Sequence, residues 1–177
     1  MKPTVRLPRL TLTPASERDL NRLCDLLWHP EVRRFLCDDN LLPREVVSKM
    51  LARSASLDVE AIGLWTIEAE PDGFVGISGL QPVAEGPAID AAIGGGIEPL
   101  IALHPRVWGR GFAKETIDAL TDHARDNCGL ERLVAAVDEP NERSHRLMLR
   151  CRFSGIGRGP GPKHKLVFYE RRLSDRA

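Results

Sequence analysis

The chain has 177 residues, 42% of them hydrophobic, and its 25 basic side chains are matched by 25 acidic ones. A chain of this length buries roughly 70% of its unfolded surface, which suffices for one core, so one domain over residues 1–177 is expected. Balanced charge calls for neither nucleic acid nor an anionic membrane as partner, and neither is expected; with no run near the ~20 apolar residues of a bilayer span and no apolar leader in Met1-Lys2-Pro3-Thr4-Val5-Arg6, a cytoplasmic location is expected.

In chain order, a short strand is predicted over Leu10 to Thr13 and an amphipathic helix over about Glu17 to Leu27. Leu20, Leu23, Cys24 and Leu27 recur there at helical spacing and give one core face. Trp28 to Leu42 is assigned no regular element. A second helix covers Arg44 to Ala52, with Pro43 at its start. Leu64 to Glu70 and Phe74 to Val83 read as a hairpin joined by the turn Pro71-Asp72-Gly73. Ala84 to Gly96, rich in Gly and Ala, reads as a mobile connection, since no helical pattern follows its three glycines. Ile97 to Leu103 is a strand, and Ala113 to Asn127 a helix with Ile117, Leu120 and Ala124 on one face. Arg132 to Val137 is a buried strand. Asn141 caps a helix whose inner face is Leu147, Met148 and Cys151. Gly155 to Pro162 reads as a loop, followed by a last strand near Lys165 to Arg172.

Cys24, Cys37, Cys128 and Cys151 are scattered, with no Cys-x-x-Cys pair and no His-Glu-x-x-His, so neither a zinc site nor a disulfide framework is indicated. Buried free thiols are expected. His123 and His145 fall in helices and are expected at surface or capping positions.

The most informative words are Arg106-Val107-Trp108-Gly109-Arg110-Gly111-Phe112-Ala113, between the apolar strand and a helix. Two glycines let backbone approach a ligand, and unpaired amides at the helix start, with its partial positive charge, form a cradle for a diphosphate. Arg106 and Arg110 are expected to add charge. The P-loop pattern appears nowhere, and the dinucleotide fingerprint fails because Lys114 stands at the third glycine. Trp108 and Phe112 read as anchors beneath the loop.

What remains, Arg-x-x-Gly-x-Gly-x-Ala, resembles the acetyl-CoA loop of the GCN5-related N-acetyltransferases (GNAT). The words His-Pro-x-x-Trp-Gly-x-Gly-x-Ala look like the branch that modifies N-terminal alanines of ribosomal proteins. Arg9-Leu10-x-Leu12-x-Pro14 with Glu17-Arg18-Asp19-Leu20 is similar to the family's opening, although Thr13 replaces a usual arginine. Asn141-Glu142-Arg143-Ser144 and Phe153 echo its second conserved block. The similarity runs from about Arg9 to Leu173. Two departures stand out: Arg152 precedes Phe153 where relatives have glycine, and Leu100-Ile101 replace a usual Gly-Tyr, which makes the strand bulkier.

The resemblance implies a mixed α/β fold, with a largely antiparallel central sheet, one splayed parallel strand pair and flanking helices. It implies acetyl-CoA as cosubstrate, held by Leu103, Arg106, Trp108, Gly109, Arg110, Gly111, Phe112, Ala113, Asn141 and Ser144, with no metal. By its position ten residues before Trp108, Glu98 is the implied general base, and Ser144 the candidate donor to the departing thiolate. Simple structural readings stand beside these: a solvated strand glutamate, a helix-capping asparagine and a first-turn serine. The acceptor is a primary amine, a protein or peptide N-terminus or a small molecule such as a polyamine. An α-amine, about a tenth to a fifth neutral at pH 7, needs less help from a base than a lysine amine, neutral in only about one molecule in 10³. The alternatives are a noncatalytic acetyl-CoA sensor or partner-binding module, and a site for another phosphate ligand such as a nucleotide. Relatives often pair, so a homodimer is a possible assembly.

Overall fold

The computed structural model describes residues 1–173, with backbone alone at residues 88 and 90; the last four residues of the expected domain lie outside that range. Two short strands open the chain, β1 (Val5–Arg6) and β2 (Leu10–Pro14). A capping box follows, in which the Ser16 amide donates to the Asp19 carboxylate at 2.7 Å. It starts a 3-10 turn over Glu17–Asp19 that runs into α1 (Leu20–Trp28). Next come α2 (Pro30–Leu36), α3 (Arg44–Ser56), β3 (Gly63–Ala69), β4 (Gly73–Pro82) and α4 (Pro87–Ile93). The second half is β5 (Ile97–Leu103), α5 (Phe112–Asp126), β6 (Arg132–Asp138), α6 (Glu142–Arg150), β7 (Ser154–Gly159) and β8 (Leu166–Arg172).

β1 to β5 form an antiparallel five-stranded sheet in chain order, and β6, β8 and β7 form a second antiparallel sheet in that spatial order. The two sheets meet at β5 and β6, which share no ladder. They are closest near Gly96 and Val134, where a side chain on Gly96 would collide with Val134 Cγ2. Two residues on, the Ala136 amide bonds to the Glu98 carboxylate. Both strands advance together from 96 to 98 and from 134 to 136, so this is the splayed parallel pair.

Burial on two faces fixes the layers. Trp65, Ile67 and Ala69 of β3 join Leu10, Leu12 and Val75 and pack on Phe112, Ile117, Leu120 and Ala124 of α5. The other face sets Leu64, Ile77 and Ala102 against Leu23, Cys24 and Leu27 of α1 and Val47 and Leu51 of α3. A third cluster joins Ile93 and Ile89 of α4 to Val134, Leu166 and Phe168.

Three segments differ from expectation. The mobile connection over Ala84 to Gly96 contains α4, because Pro87 suits a first turn and Ile89 and Ile93, four residues apart, seat on the second sheet. The loop over Gly155 to Pro162 begins as β7, whose glycines weaken a strand that the edge of β8 nevertheless pairs. The unassigned stretch from Trp28 holds α2, started by Pro30 and by His29, whose Nδ1 accepts from the Glu31 amide at 3.3 Å. His123 is buried, not at the surface: its Nε2–H donates to the Ala61 carbonyl at 2.7 Å and its ring meets Trp65 edge-on at 5.4 Å. His145 is tied on both nitrogens. Nε2–H donates to the Glu139 carbonyl (3.0 Å), and Nδ1 lies 2.8 Å from the Tyr169 hydroxyl.

Candidate active site

β5 runs out at Leu103 and turns through a 3-10 segment over Pro105–Val107, where His104 Nδ1 accepts from the Arg106 amide at 3.3 Å. Gly109 and Gly111 then take φ of +79° and +84°, a region that costs an L-residue roughly 1–2 kcal/mol. Gly111 is the N-cap of α5 and offers no capping side chain. The first helical bond is from the Glu115 amide to the Gly111 carbonyl (3.2 Å), so the amides of Phe112, Ala113 and Lys114 have no partner within the helix. This end of a helix of 15 residues has no capping side chain, and its amides could receive an anion such as a coenzyme diphosphate.

The loop's side chains are committed elsewhere. The Arg106 guanidinium donates to the carbonyls of Asp72 (3.1 Å) and Phe74 (2.6 Å), and Arg110 pairs with the Asp72 carboxylate at 2.6 Å. Both pin the loop to the β3–β4 turn, so the cradle is built from main chain. Phe112 is buried in the core, while Trp108 lies half-buried with its indole N–H on the Leu103 carbonyl at 2.8 Å. The Arg143 guanidinium from α6 stacks over that indole at 4.1 Å, which joins the loop to the first turn of α6 across the splay.

Sequence reasoning missed Arg9. Its guanidinium donates to the Arg110 carbonyl (3.0 Å) and to the Glu115 carboxylate (2.9 Å), and stacks on Phe112 at 4.9 Å. Glu115 puts a negative charge in the first turn of α5, against any bound anion, and Arg9 offsets it. The only signal in the sequence was a cation before the opening strand, too local to name a partner so far along the chain.

On the acceptor side, Glu98 sits in the gap between β5 and β6. Burial pushes its pKa up to about 7, against the pull of the Ala136 amide that its carboxylate accepts from. Leu100 and Ala102, on the same strand face, pack toward α1. On α6, Asn141 Oδ1 accepts from the Ser144 amide at 3.2 Å, so Asn141 is the cap and Ser144 is half-buried in the first turn. Burial raises all four thiols above their ordinary pKa, Cys37 and Cys151 to about 11. They stay protonated near neutral pH. Among the described residues no group of three or more His, Cys, Asp or Glu could hold a metal, and no helix is long and apolar enough to cross a membrane.

A second acidic residue escaped the sequence reading. Asp138 ends β6 with only 8% of its surface exposed, and it lies two residues beyond the Glu98 contact at Ala136. Burial raises its pKa, Asp38 adds to the rise, and His164 and Lys163 oppose it. The β7–β8 loop and the end of α2 close over this place: Lys163 Nζ lies 3.9 Å from the Asp39 carboxylate and donates to the Asp38 carbonyl at 3.4 Å.

Comparison with known proteins agrees with this geometry. The chain is similar to the uncharacterized N-acetyltransferase YoaA of Bacillus subtilis (strain 168), 28% identical over 159 residues that span 89% of this chain and 86% of that protein. Among solved structures it resembles a GnaT-family acetyltransferase from Bordetella pertussis, with TM-score 0.82, 22% identity, and 96% and 99% of the two chains covered. It also resembles RimL, a ribosomal L7/L12 alpha-N-protein acetyltransferase in complex with coenzyme A, with TM-score 0.75, 18% identity, and 94% and 95% covered. The sequence model of the acetyltransferase (GNAT) domain matches residues 9–154, and with the splayed strands and the glycine loop both inside that span, the chain belongs to the GNAT family of acetyl-CoA-dependent N-acetyltransferases.

Proposed function

We propose that this protein, acting as one domain in the cytoplasm, moves an acetyl group from acetyl-CoA directly to a primary amine. Acetyl-CoA supplies a thioester whose acyl carbon accepts the nitrogen. The free amides of Phe112, Ala113 and Lys114 and the loop at Gly109 and Gly111 hold the diphosphate. Along the opened edge of β5, main-chain groups as far as Leu103 pair with the pantetheine arm, and Asn141 and Ser144 border its other side. Holding both reactants in this slot supplies much of the rate.

Glu98 takes the proton from the acceptor ammonium, the C–N bond forms as the C–S bond breaks, and the second proton shed by the new amide nitrogen passes through the Ser144 hydroxyl to the departing thiolate, which leaves Ser144 neutral. The observation that carries the assignment is a carboxylate set between the splayed strands with a pKa of about 7. A base poised there is about half ionised at neutral pH and suits a proton transfer from an amine. Thiols with raised pKa do not favour a covalent acetyl-cysteine route. RimL, of similar fold, is named for N-terminal protein acetylation and is described with coenzyme A, which supports both the cosubstrate and an amine acceptor.

The test is thiol release from acetyl-CoA over a panel of N-terminal peptides, polyamines and aminoglycosides, with mass spectrometry of the product. Transfer to nitrogen is the expected outcome. Tight acetyl-CoA binding with no acceptor modified would mark the protein as a sensor instead.

A further inference from the structure

The single tyrosine of the chain, Tyr169, stands on the last strand, outside the sequence words that carry the chemistry. The fold brings its hydroxyl to the first turn of α6, 2.8 Å from His145 Nδ1, with the two rings 5.9 Å apart. The other nitrogen decides which way that bond runs. Nε2 lies 3.0 Å from the Glu139 carbonyl, an oxygen that can only accept, so Nε2 carries the proton and Nδ1 offers a lone pair to the Tyr169 O–H. Tyr169 itself is buried in the main core and pairs with Ala135 of β6. The imidazole therefore ties α6 at once to β8 and to the connection after β6.

Ser144 sits between that tie and two others. Its amide donates to Asn141 Oδ1 at 3.2 Å, and on its other side Arg143 stacks on Trp108 of the cofactor loop at 4.1 Å. The first turn of α6 is thus fixed from both halves of the splay, while the Ser144 hydroxyl makes no hydrogen bond among the described residues. With no partner of its own, that hydroxyl goes where the backbone of the turn puts it. Resting on the transfer mechanism above, we infer that Tyr169 and His145 are positioning residues for proton delivery to sulfur: their hydrogen bond holds the turn so that the Ser144 hydroxyl meets the departing thiolate. A displacement of about 1 Å at such a group costs on the order of 10²-fold in rate. Neither side chain touches the sulfur in this role; both act through the helix.

The experiment titrates the thiol of bound coenzyme A by the ultraviolet absorbance of its thiolate, which needs no acceptor amine. A hydroxyl donating to the thiolate stabilises the charged form, so Ser144→Ala raises the thiol pKa by about one unit, a tenfold shift. Tyr169→Phe, which deletes one hydroxyl and keeps the buried ring, raises it by a similar amount, and the double variant raises it no further. His145→Ala repeats the result from the other partner. Calorimetry shows each variant folded and binding coenzyme A with a dissociation constant changed less than about threefold, since the amides at the start of α5 are untouched. In turnover with an acceptor from the panel above, kcat falls about tenfold to a hundredfold in each single variant and no further in the double. Shifts that add in the double variant, or a native thiol pKa in Tyr169→Phe, overturn the inference and leave the transferase reading standing. A native thiol pKa in Ser144→Ala removes the serine from the sulfur and this inference with it. Coenzyme A that fails to bind the native protein removes the cosubstrate reading as well.

Discussion

The two ends of the splay between β5 and β6 are built on opposite plans. At the cofactor end the loop's arginines are occupied: Arg106 and Arg110 on the β3–β4 turn, Arg9 on Glu115 and the Arg110 carbonyl, Arg143 on Trp108. What faces outward there is backbone, the unpaired amides at the start of α5. At the acceptor end it is side chains that present charge: Glu98, partly buried and held by the Ala136 amide, and Asp138, both without an ion pair among the described residues. Main-chain donors suit a ligand that never changes, because only their geometry must be preserved. Side chains suit a variable ligand, since one substitution changes which acceptor is stabilised.

The sharpest way to test that division is Glu98→Gln. It removes the proton acceptor without touching the loop, so kcat/KM falls about 10²- to 10⁴-fold while affinity for acetyl-CoA holds. The pH profile gives a second reading. Glu98 works as the carboxylate, so the rate of the native enzyme rises through pH 7, the value to which burial lifts its pKa, and that inflection vanishes in the variant. Stability runs the other way. With the folded pKa above the ordinary 4.5, the native state binds the extra proton, so the contribution of Glu98 to stability is lost as pH rises from 4.5 to 7. A variant that lost coenzyme affinity along with rate would show that the two ends are not separate.

Next in size is the cofactor end itself. A cradle of fixed amides needs no rearrangement, so acetyl-CoA at 100 times its dissociation constant stabilises the fold by about 2.7 kcal/mol, roughly 5 to 10 °C in melting temperature. NAD and ATP, tested side by side, give smaller shifts; a shift with ATP and none with acetyl-CoA reverses the assignment. Smaller again is Arg9→Ala. It leaves the Glu115 carboxylate unopposed in the first turn of α5, and acetyl-CoA binding weakens about tenfold in an equilibrium titration. Arg9→Lys restores the charge but not the forked contact to the Arg110 carbonyl, and recovers only part of the loss.

How much of this was legible in the sequence depended on how local the cause was. Gly109 and Gly111 announce their conformation, because positive φ next to a helical pattern leaves little else for glycine to do. The same locality exposed the β3–β4 hairpin through Pro71-Asp72-Gly73, and Gly73 does take a φ of +67°. α4 was hidden by composition, since the alanines and glycines around it mask the two isoleucines that seat it. β7 was hidden because its hydrogen bonds come from β8, not from its own glycine-rich residues. The partners of Arg106 and Arg110 lie on the β3–β4 turn, and the charges that act on Asp138 come from Asp38 and from His164 and Lys163 of the β7–β8 loop. No periodicity within a window reveals contacts of that range.

Arg152 makes the smallest prediction, and it bears on neither end of the splay. After α6 the Arg152 amide bonds to the Leu149 carbonyl (3.1 Å) and the Phe153 amide to the Met148 carbonyl (2.9 Å), which forces Arg152 to a φ of +62°. That is the left-handed cap in which a glycine is usual, and its absence does not move the end of the helix. The fold overrides the residue because Cys151 and Phe153 on either side are buried in the main core and fix the path between them. Holding an arginine there costs about 1 kcal/mol. Arg152→Gly therefore raises the melting temperature by roughly 2 to 4 °C, the shift expected for ~1 kcal/mol at this chain length. Acetyl-CoA affinity and turnover stay as they are, since Arg152 is exposed and lies past the end of α6 opposite Asn141 and Ser144. A fall in either would mean that the end of α6 positions Asn141 and Ser144 from behind, and would place the cap within the working site.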